Sequence, residues 1–131
     1  MNKNILVVDD EADIVKTVAM ALELDGYKVT TAMSGTEAME EIRVHRPDLV
    51  IIDMVLPGIS GKDIAHWIKN SEGYKDIPII LITALAQQNE RESFKKEEID
   101  HCLIKPFALD QLEAKVKELL DEPLAERPAI I

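Results

Sequence analysis

Residues 49 to 58 read LVIIDMVLPG, and the fold turns on how that stretch is understood. Leu49 to Ile52 is an unbroken apolar run, suited to a strand buried on both faces, yet Asp53 follows at once, where a carboxylate is costly to enclose. Four further runs share the pattern: Ile5–Val8, the weaker Val29–Ala32, Ile79–Ile82 and Cys102–Ile104. Helical periodicity fills the intervals. Continuous apolar strands alternating with amphipathic helices predict an α/β fold, a doubly wound five-stranded parallel sheet with helices on both faces.

The helices carry their own start and stop signals. Asp13 to Leu24 sets Ile14, Val15, Val18, Ala19 and Leu22 on one face, and Asp25-Gly26 supplies a stop. Ser34 with Glu37 forms a capping box for a second helix, which should end before Pro47. Ser60 with Asp63 opens a third, leading to Ile64, Trp67 and Ile68. Ala108 to Leu120 aligns Leu109, Leu112, Val116 and Leu119. The segment from Gln87 to Glu98 has Phe94 as its only large apolar residue and reads as a weakly anchored helix with a charged outer face. Beyond it, DEPLAERPAII loses all periodicity. Residues 1–121 are therefore expected to form one domain, and 122–131 a tail or linker stub.

Composition narrows the function classes. The 131 residues carry 25 Asp plus Glu against 15 Lys plus Arg, a net charge of −10 that disfavours direct nucleic-acid binding. Cys102 is the only cysteine, so an internal disulfide or a thiol-rich metal cage is excluded. No apolar run approaches a membrane-spanning length or a signal peptide's core, so no membrane role is expected and a cytoplasmic location is.

The chemistry gathers at the strand ends. The first strand is followed by Asp9-Asp10, the third ends in Asp53, the fourth in Thr83 and the fifth in Lys105. In a parallel sheet these project from one edge, so Asp53 is expected at the rim of the core rather than inside it. Two carboxylates about 5 Å apart repel by ~3 kcal/mol at an effective dielectric of 20, so three acids together call for a cation or a raised pKa. A hard divalent ion such as Mg²⁺ suits all-oxygen ligands. There is no G-x-x-x-x-G-K-[ST] loop, and His45, His66 and His101 sit in helical or pre-strand contexts without a nucleophile partner. What remains is a carboxylate that is itself the nucleophile and forms an acyl phosphate, with Lys105 neutralising phosphoryl oxygens and Thr83 donating to one of them.

At these residues the chain resembles a response-regulator receiver domain of two-component phosphorelay signalling, with the flavodoxin-like (βα)5 fold of CheY-like proteins. ILVVDDE is similar to the family's first strand and acidic pair, LVIIDMVLPGISG to the phosphoacceptor strand and its loop, PIILITALA to the strand carrying the hydroxyl, and CLIKPF to the lysine–proline–aromatic ending. The four blocks occur in family order over roughly residues 3 to 121. The resemblance implies a phosphoacceptor that assists its own phosphorylation and slow dephosphorylation rather than an enzyme. Asp53 would take the phosphoryl group of a sensor histidine kinase or a histidine phosphotransfer protein. Mg²⁺ would be held by Asp10, Asp53 and the Val55 carbonyl, with Asp9 acting mainly through water. Thr83, Ala84 and Lys105 would contact the phosphoryl group, and Pro106 would follow a cis peptide bond. Phosphorylation would shift the face around residues 84–120, formed by the weakly anchored helix, the fifth strand and the last helix, to control an output partner. Dimerisation through the last helix is compatible with the family.

Two positions depart from the family pattern. Cys102 stands where an aromatic switch residue is usual, and Glu98-Ile99 replaces a small Gly-Ala pair before the fifth strand. Apolar Val55 and Leu85, two residues after Asp53 and Thr83, imply slow loss of the phosphoryl group. Two other functions compete with this reading. A haloacid-dehalogenase-type phosphohydrolase wants a second acid where this chain has Val55. A receiver-like interaction module independent of phosphorylation has only Cys102 in its favour.

Overall fold

The computed structural model describes residues 3–84 and 99–120. In chain order the elements are β1 (Asn4–Val8), α1 (Ala12–Leu24), β2 (Lys28–Ala32), α2 (Gly35–His45), β3 (Leu49–Asp53), α3 (Gly61–Lys69), β4 (Ile79–Thr83), β5 (His101–Ile104) and a C-terminal helix, α4 (Leu109–Leu120). The five strands form one sheet in the order β2-β1-β3-β4-β5, and every neighbouring pair is parallel. The expected helix over 87–98, Leu85 and the tail beyond 121 lie outside the described residues.

The two-residue alternation of the strands explains both layers. Leu6, Val8, Val50, Ile52, Ile79 and Leu81 point to one side, where Ile42 of α2 and Ile64 and Ile68 of α3 meet them. Ile5, Val7, Leu49, Ile51, Ile80 and Ile82 point to the other, against Val18 and Leu22 of α1 and Leu112 and Val116 of α4. β3 and β4 are buried along their whole length, while β2 at the edge is partly exposed, which accounts for its weaker apolar signal. Each fully buried Leu or Ile contributes about 1.5–3 kcal/mol relative to exposure, so the central strands anchor the fold.

The serine caps form as their sequence signals predict. Ser34 Oγ accepts the Glu37 amide at 3.2 Å, and Glu37 Oε1 takes the Met33 amide at 3.2 Å. Ser60 Oγ accepts the Asp63 amide at 3.1 Å. At the entry to β5, the Asp100 carboxylate accepts the Ile79 amide at 2.7 Å while its own amide donates to the Ile79 carbonyl at 2.8 Å. That exchange pins the approach to β5. His101 opens β5 instead of preceding it.

Candidate functional site

Strand order reverses between β1 and β3, whose carboxyl ends carry Asp9-Asp10 and Asp53. Crevices of this kind are where open parallel sheets bind ligands. The ligand-capable oxygens of Asp9, Asp10 and Asp53 all lie within 4.8 Å of one another. Thr83 closes β4 on one side of them, and Lys105 follows β5. The Lys105 amide donates to the Thr83 carbonyl at 2.7 Å, so backbone pairing sets where the lysine starts. The Lys105–Pro106 peptide is cis.

The rim expectation for Asp53 needs correction. Asp53 does stand at the strand's end, but it is only 4% exposed, and Asp9 only 1%. Loops and one cation enclose them. Lys105 Nζ lies 2.7 Å from Asp53 Oδ2, 3.1 Å from Asp9 Oδ2 and 3.0 Å from Glu11 Oε1. Backbone amides take the remaining carboxylate oxygens, Val55 N–H donating to Asp53 Oδ1 and Glu11 N–H to Asp9 Oδ1, each at 2.9 Å. Asp10 and Ala84 are exposed at the mouth. Val55 is 58% exposed in the loop after β3.

The charges are strained. Burial pushes the Asp9 carboxyl up from its ordinary value, and the nearby Asp53 charge adds to this against the Glu11 amide and Lys105. For Lys105, burial works to lower the pKa, but hydrogen bonds to Asp53 and Glu11 and the nearby Asp9 carboxylate outweigh it and hold the ammonium well above the usual lysine range. Lys105 is therefore a fixed positive charge.

The donor set fits a hard divalent cation. It is all carboxylate oxygen, and Asp9 Oδ2, although near Lys105, accepts no hydrogen bond from the described residues. A buried oxygen without a donor is costly, and a metal ion or its bound water satisfies it.

Three features escaped the sequence reading. Glu11 joins the Lys105 network, and only its place beside the acidic pair hinted at that. The Thr83 hydroxyl donates to the Met54 sulfur at 3.6 Å. Gly61, the first residue of α3, packs against the Asp53 backbone: a Cβ there would collide with the Asp53 carbonyl oxygen and come within 2.8 Å of its carbon. Cys102 is half-buried and packs on the α2/α3 side of the sheet.

Residues 5–117 match the family model described as response regulator receiver domain. The chain belongs to the receiver family. Receivers are the phosphorylation-based signalling domains of two-component systems, phosphoacceptors that bind Mg²⁺ in an acidic pocket and work with kinases or phosphotransfer proteins and output partners. This receiver is 38% identical over 120 residues to the phosphate regulon transcriptional regulatory protein PhoB of Pseudomonas aeruginosa, covering 92% of this chain and 52% of that one. It is 30% identical to the polar-differentiation response regulator DivK of Brucella ovis, covering 93% of this chain and 99% of that one. The chain thus spans about half of the first relative and nearly all of the second. Its fold matches that of the response regulator TrrA of Thermotoga maritima, solved in complex with Mg²⁺ and beryllium fluoride, at a TM-score of 0.80 and 40% identity, covering 90% of this chain and 99% of that one. No helix among the described residues is long and apolar enough to cross a membrane.

Proposed function

We propose that Asp53 is the phosphoacceptor of this receiver, taking a phosphoryl group from the phosphohistidine of a sensor histidine kinase or a histidine phosphotransfer protein. The observation that carries the reading is the 2.7 Å contact of Lys105 Nζ with Asp53 Oδ2 inside a three-carboxylate cluster. Asp9, Asp10, Asp53 and the Val55 carbonyl would hold Mg²⁺, which supplies charge neutralisation for the incoming phosphoryl oxygens.

This chain's own groups do the rest. A carboxylate oxygen of Asp53 attacks phosphorus while the phosphorus–nitrogen bond to the donor imidazole breaks, and the electron pair leaves with the histidine. The Val55 amide holds Asp53 Oδ1, leaving Oδ2 on the Lys105 side as the nucleophile. Lys105 then turns from Asp53 Oδ2 to the phosphoryl oxygens, exchanging one charge-assisted hydrogen bond for another. Thr83 must leave the Met54 sulfur to donate to the same group, with Ala84 beside it at the exposed edge. Movement of Thr83 would be passed to the chain that follows it, and the face from 84 to 120 would meet the output partner.

The test is intact mass after incubation with Mg²⁺ and acetyl phosphate, beside an Asp53→Asn control. A gain of one phosphoryl group, absent in the control and without Mg²⁺, is the expected result. A folded, Mg²⁺-binding protein that gains nothing would replace this reading with a constitutive interaction module.

A further inference from the structure

Glu11 lies outside the cluster that fits a metal and is 60% exposed, yet its Oε1 takes Lys105 Nζ at 3.0 Å across 94 residues of chain. It also occupies the N-cap position of α1, where it makes no side-chain cap hydrogen bond, whereas Ser34 and Ser60 both cap their helices. Its carboxylate is spent on the lysine and not on its own helix. A lysine ammonium has three N–H donors, and this one faces Asp53, Asp9 and Glu11 together.

We propose that Glu11 is a positioning residue that competes with the incoming phosphoryl group for Lys105. As the ammonium swings from Asp53 Oδ2 to the phosphoryl oxygens it is pulled away from Glu11, so Glu11 sets how readily Asp53 is modified. Its exposure makes the release sensitive to anything that engages the carboxylate from outside, while the buried Asp9 contact keeps the lysine at the site. The inference rests on Asp53 being the phosphoacceptor.

Acetyl phosphate time courses with Mg²⁺, read by intact mass, test it in the wild type, Glu11→Gln and Glu11→Asp. Gln keeps the length and loses the charge. Asp keeps the charge, falls one methylene short of Lys105 and is suited to capping α1. Both variants should be phosphorylated about threefold faster, the scale expected for losing a partly exposed ion pair, and should bind beryllium fluoride tighter by a similar factor. If Glu11→Gln is faster while Glu11→Asp matches the wild type, plain repulsion of the anionic donor is at work and the proposal fails. Unchanged or slower reaction in both variants also overturns it. A wild type that takes no phosphoryl group would defeat the Asp53 reading itself, an outcome distinct from a reactive wild type with indifferent variants.

Discussion

Asp9→Asn should make the metal-free protein more stable. The Asp9 carboxylate is 1% exposed, lies 3.1 Å from Lys105 Nζ and has an oxygen within 4.8 Å of Asp53. At an effective dielectric of 20 the lysine attracts it by ~5 kcal/mol and Asp53 repels it by ~3 kcal/mol. Desolvation opposes its charge by roughly 4 kcal/mol, leaving a net cost of about 1–2 kcal/mol. Asparagine keeps the shape and can still accept the Glu11 amide, a bond now 2.9 Å long. The gain should raise the melting temperature by about 4–8 °C for a domain of this size.

The sign of the pH dependence follows from the raised carboxyl. Folded Asp9 binds its proton more tightly than the unfolded chain, where the ordinary value is 3.8. Wild-type stability is therefore lost as pH rises from about that value through the raised folded value, and the loss is level above it. The advantage of Asp9→Asn should open across that window and be small at its acid end. Melts in EDTA from pH 4 to 8 measure this, and added Mg²⁺ should stabilise the wild type more than the variant. A variant less stable than wild type at pH 7 in EDTA, or an advantage independent of pH, would refute the reasoning.

Lys105→Met should destabilise the metal-free fold by about 2–4 kcal/mol at pH 7, because two buried carboxylates lose their shared cation, and denaturant melts would show it. Gly61→Ala forces backbone against backbone at Asp53; a loss of about 2–3 kcal/mol with slower phosphorylation is expected, and wild-type melting would contradict the close approach. His101 is held below its ordinary 6.5 by burial and by Lys115, so stability should fall as pH drops from 6.5 through the folded value. An NMR titration should place its midpoint below 6.5, and Lys115→Met should move it upward. With apolar Val55 and Leu85 two residues after Asp53 and Thr83 in sequence, the acyl phosphate should persist for minutes; decay within seconds would contradict that.

Much of this receiver is readable locally. Leu49–Ile52 and Ile79–Ile82 announce strands buried on both faces because a two-residue period with no polar member has no side to show water. Ser34 and Ser60 announce helix starts because a cap bonds an amide three residues away. The parallel sheet brings Asp9, Asp10, Asp53, Thr83 and Lys105 to one edge, since each lies at or just after a strand's end. Only the tertiary structure decided how that edge is closed. The order β2-β1-β3-β4-β5 makes β1 and β3 neighbours and sets three carboxylates within 4.8 Å. The enclosure of Asp53, the reach of Glu11 to Lys105 and the contact of Gly61 with the Asp53 carbonyl depend on loops meeting across long stretches of chain. No periodicity encodes these contacts. A side chain's period reports which face it occupies, whereas burial of a charge and the partner that tolerates it depend on what the rest of the chain brings to that face.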